Sequence, residues 1–188
     1  MPEHNAESAS RLSRGFTLVE LMAVIAIIAV LLGITVPFAT AMAESMKLSS
    51  FANVFLSHLY LARSEAIKRN TRVVMCKSAN GLGCISTGGW QQGWIIFQDS
   101  NNNAALDPGE TVIQQMQALP EPFTLVGNLN VARYVSYDPS GATKLASGAF
   151  QAGTLTLCRH PPTAEARQIV LNSAGRPRIQ KAVATICL

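Results

Sequence analysis

The sequence predicts an α+β protein: one long N-terminal helix, its first half apolar enough to span a membrane, packed on a mainly antiparallel β-sheet domain. Three observations predict it. Residues 16–38 form an apolar run whose one charge is Glu20. A helical stripe of apolar residues continues beyond that run to residue 69. After Asn70 the pattern changes to short β-rich segments separated by Gly, Asn and Pro, and no comparable helical pattern returns.

A chain of 188 residues allows one moderate globular domain plus an N-terminal segment. Its hydrophobic content of 48% against 14% charged residues is high, and much of the excess lies between residues 16 and 43. The leader, residues 1–15, is polar and balances Glu3 and Glu7 against Arg11 and Arg14. Arginines beside an apolar run keep the leader cytoplasmic and send the rest across. Residues 16–38 suffice for a span with some tilt. A cleaved secretory signal is the rival, and Ala41-Met42-Ala43 offers it a cleavage site. Yet the run exceeds the ~7–15 residues of a usual signal core, and a carboxylate within it opposes insertion.

The stretch Gly15-Phe16-Thr17-Leu18-Val19-Glu20 resembles the leader motif of type IV pilins and type II secretion pseudopilins, and Pro37 matches their helix-kinking proline. The resemblance implies that a prepilin peptidase cuts between Gly15 and Phe16 and N-methylates Phe16. It also implies that Glu20 meets the N-terminal ammonium of a neighbouring pilin subunit. The physical logic agrees, since a buried carboxylate is tolerable only with a partner, and one from the next subunit sets axial register. The expected division is a leader at 1–15, a transmembrane and fibre-core helix at 16–38, its periplasmic half at 39–70 and a β-rich domain at 71–188. The expected location is the inner membrane, single-pass with the domain in the periplasm, and then the pilus fibre or cell surface.

In the second half of the helix Phe51, Phe55, Leu59, Ala62 and Ala66 recur at three- and four-residue steps, and Asn70 is a helix stop. Arg63, Lys68, Arg69 and Arg72 cluster near its end, where interaction with the helix dipole explains them adequately. Strands are expected at 71–77, 93–98, 111–118, 123–126, 131–137, 153–158 and 168–171, with a further short one near 182–186. Trp90 and Trp94 read as core anchors rather than exposed interaction residues.

The four cysteines lie beyond the apolar run, as expected for disulfides in an oxidising compartment. Of the three pairings, Cys76–Cys84 with Cys158–Cys187 is favoured. The first closes a short Gly-rich loop, and the second ties the chain end to a strand. A zinc site with His160 is the rival; there is no C-x-x-C pair and the spacing is irregular. No metal or cofactor is expected. Asp99, Asn101, Asn103, Asp107 and Glu110 do fall at positions 1, 3, 5, 9 and 12 of an EF-hand-like loop. Ala104, however, stands where that loop needs glycine, and strands flank it. The segment is similar to a hairpin connection in the GspH/FimT branch of the pilin-like proteins.

Charge divides the domain. The section 78–132 holds Asp99, Asp107, Glu110 and Glu121 and no Lys or Arg. Beyond Pro139 the bases Lys144, Arg159, Arg167, Arg176, Arg178 and Lys181 face one acid, Glu165. Within this third, Gly175-Arg176-Pro177-Arg178 places two arginines on a stiffened turn or sheet edge, where each can fork onto a phosphate. Lys181 and Arg167 enlarge the expected patch. The G-R-x-R pattern resembles the DNA-binding motif of FimT-type minor pilins, which serve natural transformation, and it implies double-stranded DNA as a partner bound without sequence preference. A fibre-initiating subunit that does not touch DNA is the alternative. His4, His58 and His160 are scattered, with no nucleophile elbow or phosphate loop, so the chain reads as a peptidase substrate and not an enzyme.

Overall fold

In the computed structural model, which describes residues 15–161 and 165–187, helix α1 spans Leu18–Arg69. Thr17 and Glu20 stand three apart at its start, and Thr17 Oγ1 accepts the Glu20 N–H at 3.3 Å, half of a capping box. Glu20 therefore sits in the first turn, where the exposed N–H groups favour a carboxylate. The chain comprises two compact units that meet between Ala43 and Glu44 in the sequence. In the first unit, Phe16, Leu18, Val19, Met22 and Ile25 are all exposed. Among the described residues no helix is long and apolar enough to cross a membrane. The apolar run of the sequence continues to Phe38, and the side chains of 34–38, Pro37 included, lie outside the described residues, as do Arg11 and Arg14 of the leader.

In the second unit, α1 buries Leu48, Ala52, Phe55, Leu59, Ala62 and Ala66. The stripe thus starts earlier than expected, while Phe51 stands at its border, edge-on to Phe123. Asn70 ends the helix in the left-handed region at φ 51°. The Asn70 N–H returns to Ile67 O and the Thr71 N–H to Ala66 O, a Schellman ending.

Eight strands follow: β1 (Arg72–Lys77), β2 (Trp94–Asp99), β3 (Val112–Met116), β4 (Phe123–Gly127), β5 (Tyr134–Tyr137), β6 (Gly153–Arg159), β7 (Glu165–Leu171) and β8 (Pro177–Val183). They form two antiparallel four-stranded sheets, in the orders β3-β2-β1-β5 and β4-β6-β7-β8. The last strand begins at Pro177 and not near residue 182. Proline opens it because it lies on an edge, where a missing N–H costs no ladder bond. Inner faces of both sheets meet the helix in one core containing Trp90, Trp94, Tyr137, Leu125, Leu155 and Ile169. Trp90 Nε1 donates to Val131 O at 3.0 Å and Trp94 Nε1 to His58 Nδ1 at 2.9 Å, so both indoles are buried with their polar atoms satisfied.

The β1–β2 pair is covered on its outer side too. Val74, Cys76, Ile95 and Phe97 form a second cluster under Cys84, Ala104, Leu106 and Tyr134, which explains why β1 is buried throughout. Cys76–Cys84 and Cys158–Cys187 are the two disulfides. Lys77 is buried and fastens the first disulfide loop, donating to Gly88 O at 2.7 Å and Ser86 O at 3.2 Å. In the connection between β2 and β3, buried Asp99 accepts the N–H groups of Asn103 and Ala104, and Asp107 accepts the Asn101 and Asn103 amides. Glu110 accepts the N–H groups of Ser100 and Asp107. The carboxylates are thus used within the loop, with Ala104 in the left-handed region at φ 60°.

Candidate functional site

The G-R-P-R turn joins β7 to β8 at the edge of the second sheet. Asn172 builds it: its carbonyl accepts the Gly175 N–H at 3.0 Å and its side chain accepts the Arg176 N–H at 2.9 Å. Gly175 has φ 72°, and a Cβ there would lie 2.0 Å from Gly141 O, so backbone touches backbone at this point. Thr143 Oγ1 donates to Asn172 O at 2.9 Å, and the Tyr60 hydroxyl donates from α1 to Pro177 O at 3.1 Å. The turn is therefore anchored on two sides before its side chains are considered.

Those side chains separate by strand alternation. Pro177 is buried and Ile179 half-buried, while Arg176, Arg178 and Gln180 are exposed. Arg178 and Gln180 occupy the outer face of the sheet, where Gln180 Nε2 donates to Gln168 Oε1 at 2.8 Å. Neither Arg176 nor Arg178 pairs with an acid among the described residues. Other bases do: Lys68 and Arg69 with Glu65, Lys144 with Asp138, and Arg159 with Glu44.

Arg167 does not join this patch, which corrects the sequence expectation. It is buried on the helix-facing side, 3.0 Å from Glu165. Its remaining donors go to Ser45 Oγ at 2.9 Å, Ser49 Oγ at 3.3 Å and Ala166 O at 3.1 Å. Every one of these partners belongs to the fold, so the guanidinium is committed to holding β7 against α1. The Ser45 hydroxyl donates to Glu165, and this bond, followed by that of Arg167, holds the Glu165 carboxyl below its usual range. Lys181 is the cross-strand partner of Arg167, so it shares the helix-facing side and not that of Arg178. Its ammonium is exposed and 4.0 Å from Glu165. The four expected cations thus resolve into two pairs on opposite faces.

Arg63, which the sequence assigned to the helix dipole, comes instead to the back of the turn. A Cβ on Gly141 would lie 2.9 Å from Arg63 Nε, and Gly141 is the residue that Gly175 touches. No local sequence signal marks it, because the proximity passes through two glycines far apart in the chain. Burial pushes the Tyr137 phenol beside it up, partly offset by the charge of Arg63.

At the other end, Phe16 is exposed, two residues before the helix begins, and a Cβ on Gly15 would meet no atom within 4 Å. Among the histidines, burial lowers the pKa of His58, so its neutral ring accepts the Trp94 N–H. His160 donates its backbone N–H to Pro122 O, and His4 lies outside the described residues. Among the described residues no cluster of His, Cys, Asp and Glu is arranged to hold a metal ion.

Residues 52–175 match the family described as Type II transport protein GspH, and residues 10–36 match the Prokaryotic N-terminal methylation motif. Pilin-like protein PilA1 of Thermus thermophilus is 30% identical over 176 residues, covering 89% of this chain and 98% of that protein. Two crystal structures of the type IV minor pilin FimU of Pseudomonas aeruginosa share the fold at 18% identity. One gives a TM-score of 0.53 over 77% of this chain and 94% of that chain. The other gives 0.51 over 73% and 94%. With a methylation motif at one end and this domain over most of the remainder, the chain belongs to the GspH family, as a pilin-like protein with an N-terminal methylation motif.

Proposed function

We propose that this subunit binds double-stranded DNA through Arg176 and Arg178 and supports DNA uptake in natural transformation. One observation carries the reading: two exposed arginines, neither matched by an acid among the described residues, flank a buried proline on an anchored edge turn. A fixed turn loses little conformational freedom on binding, and two guanidinium forks two residues apart suit neighbouring phosphates. The contacts are to the backbone, so binding is insensitive to sequence and falls steeply with salt. Before assembly the subunit is a single-pass inner-membrane protein with its domain in the periplasm. Cleavage between Gly15 and Phe16, methylation of Phe16, and pairing of Glu20 with a neighbouring subunit's N-terminus then place it in the fibre.

The test compares the full chain, purified in detergent, with Arg176→Ala/Arg178→Ala in retardation of a duplex at low salt. The double variant is expected to lose most binding, and its log–log salt slope to fall by about 2. Equal retardation of both proteins at low salt removes the assignment.

A second reading is supported by exposed apolar side chains on the domain. Leu129 is 97% exposed and Phe150 70%, which suits contacts with other subunits in a protein that initiates or tips the fibre. In that case a deletion strain loses piliation or secretion, and DNA uptake fails only as a consequence.

A further inference from the structure

We infer that Arg63, on helix α1, is a third phosphate-binding residue and extends the G-R-P-R site from the sheet edge onto the helix. The inference rests on the DNA-binding reading and adds a residue that the motif does not contain. Arg63 is half-buried, yet its Nε is fully enclosed and bonded to nothing, and the buried Tyr137 hydroxyl is likewise without a partner. Orphaned buried donors are rare, because each loses its water without gaining a partner. The charge of Arg63 is not met either. It forms no ion pair with a described residue, although Lys68 and Arg69 on the next turn share Glu65. Asp138, at the start of the Gly141 turn, is occupied by the Ser140 and Ala142 N–H groups, by the Ser140 hydroxyl and by Lys144 at 3.9 Å.

Geometry joins this cation to the exposed pair. Gly141, at φ 78°, lies between Arg63 and Gly175, and a Cβ on it would also meet Ile67 Cδ1 at 2.9 Å. With glycine at both 141 and 175, only bare backbone separates the helix arginine from the turn that carries Arg176. The Tyr60 hydroxyl, one helical turn before Arg63, fixes Pro177 to the same helix. A guanidinium held by packing, its charge unmet by any described acid and set behind the turn that carries two others, suits an anion too large for any one of them. A phosphodiester backbone running across the turn meets that description.

The experiment uses the full chain in detergent and a short fluorescein-labelled duplex, with anisotropy read between about 50 and 200 mM salt. Arg63→Gln is expected to bind about 3–10-fold more weakly with a salt slope lower by about 1, while Arg63→Lys keeps the slope. Melting curves report whether either variant is folded. Phenylglyoxal labelling of the wild type, read by mass spectrometry, needs no variant: Arg63 is expected to react in the free protein and to be protected by duplex together with Arg176. Unchanged slope in folded Arg63→Gln, or labelling of Arg63 that duplex does not reduce, overturns the inference while leaving the turn reading intact. Wild-type affinity in Arg176→Ala/Arg178→Ala overturns the turn reading instead. A wild type that does not bind duplex removes both.

Discussion

Gly175 shows how a single residue without a side chain positions charged ones. Two causes favour glycine there: a left-handed φ of 72° and the approach of Gly141 O to 2.0 Å of any Cβ. Gly148 shares only the first, with φ 86° and nothing within 4 Å. Placing an L-residue in that region costs about 1–2 kcal/mol, so Gly148→Ala is expected to cost about that much. Gly175→Ala adds a clash with backbone, which cannot rotate aside, and is expected to cost about 2–4 kcal/mol in denaturant titration. If the turn binds DNA as proposed, duplex affinity falls with it although Arg176 and Arg178 are both retained. Equal costs for the two substitutions would mean that the contact between the two turns is not tight.

At the scale of the element, β7 and β8 explain why half of the expected patch was misplaced. Along Glu165-Ala166-Arg167-Gln168-Ile169-Val170-Leu171, the apolar Ile169 and Leu171 share a face with Arg167 and Glu165. The period of two was thus present in the sequence and already placed Arg167 inward. Composition alone, which counts bases without asking which face they occupy, could not separate it from Arg178. The inward pair has a consequence in acid. Glu165 has a depressed folded pKa, so its contribution is complete above the ordinary glutamate value of ~4.3 and is lost as pH falls through the folded value. His58, lowered by burial, also favours the folded state at higher pH, and Asp99, raised by burial, acts in the opposite sense. Both are common to wild type and Glu165→Gln, so the difference between the two isolates Glu165. The wild type is expected to lose melting temperature more steeply than Glu165→Gln between about pH 5 and pH 3. Parallel curves would show that Glu165 adds nothing to the hold of Ser45, Ser49 and Ala166 O on Arg167.

For the sheet-bearing unit as a whole, the long helix, the antiparallel sheets and the burial of both tryptophans were legible because each rests on a period or a turn signal within a few residues. What was not legible depends on non-local packing: the second cluster outside β1, and Arg63 behind two glycines. The disulfides join these scales. Cys76–Cys84 spans 8 residues and closes a loop over the second cluster. Cys158–Cys187 spans 29 and ties the segment after β8 to β6. Chain entropy alone gives about 2.5 kcal/mol for the short loop and about 3.5 for the long one. Sequestering Cys76 among Val74, Ile95 and Phe97 is retained in an alanine variant, so entropy should set the order. Cys158→Ala/Cys187→Ala is therefore expected to be less stable than Cys76→Ala/Cys84→Ala by about 1 kcal/mol in guanidinium titration. It should also show faster amide exchange along β8, the edge that carries Arg178, because that strand loses the covalent tie beyond its end and keeps a partner on one side only. The reverse order of stability would mean that the Cys76–Cys84 loop acts mainly by packing on the second cluster. Unchanged exchange in β8 would mean that pairing with β7 and the Tyr60 bond to Pro177 suffice to hold the edge that carries Arg178.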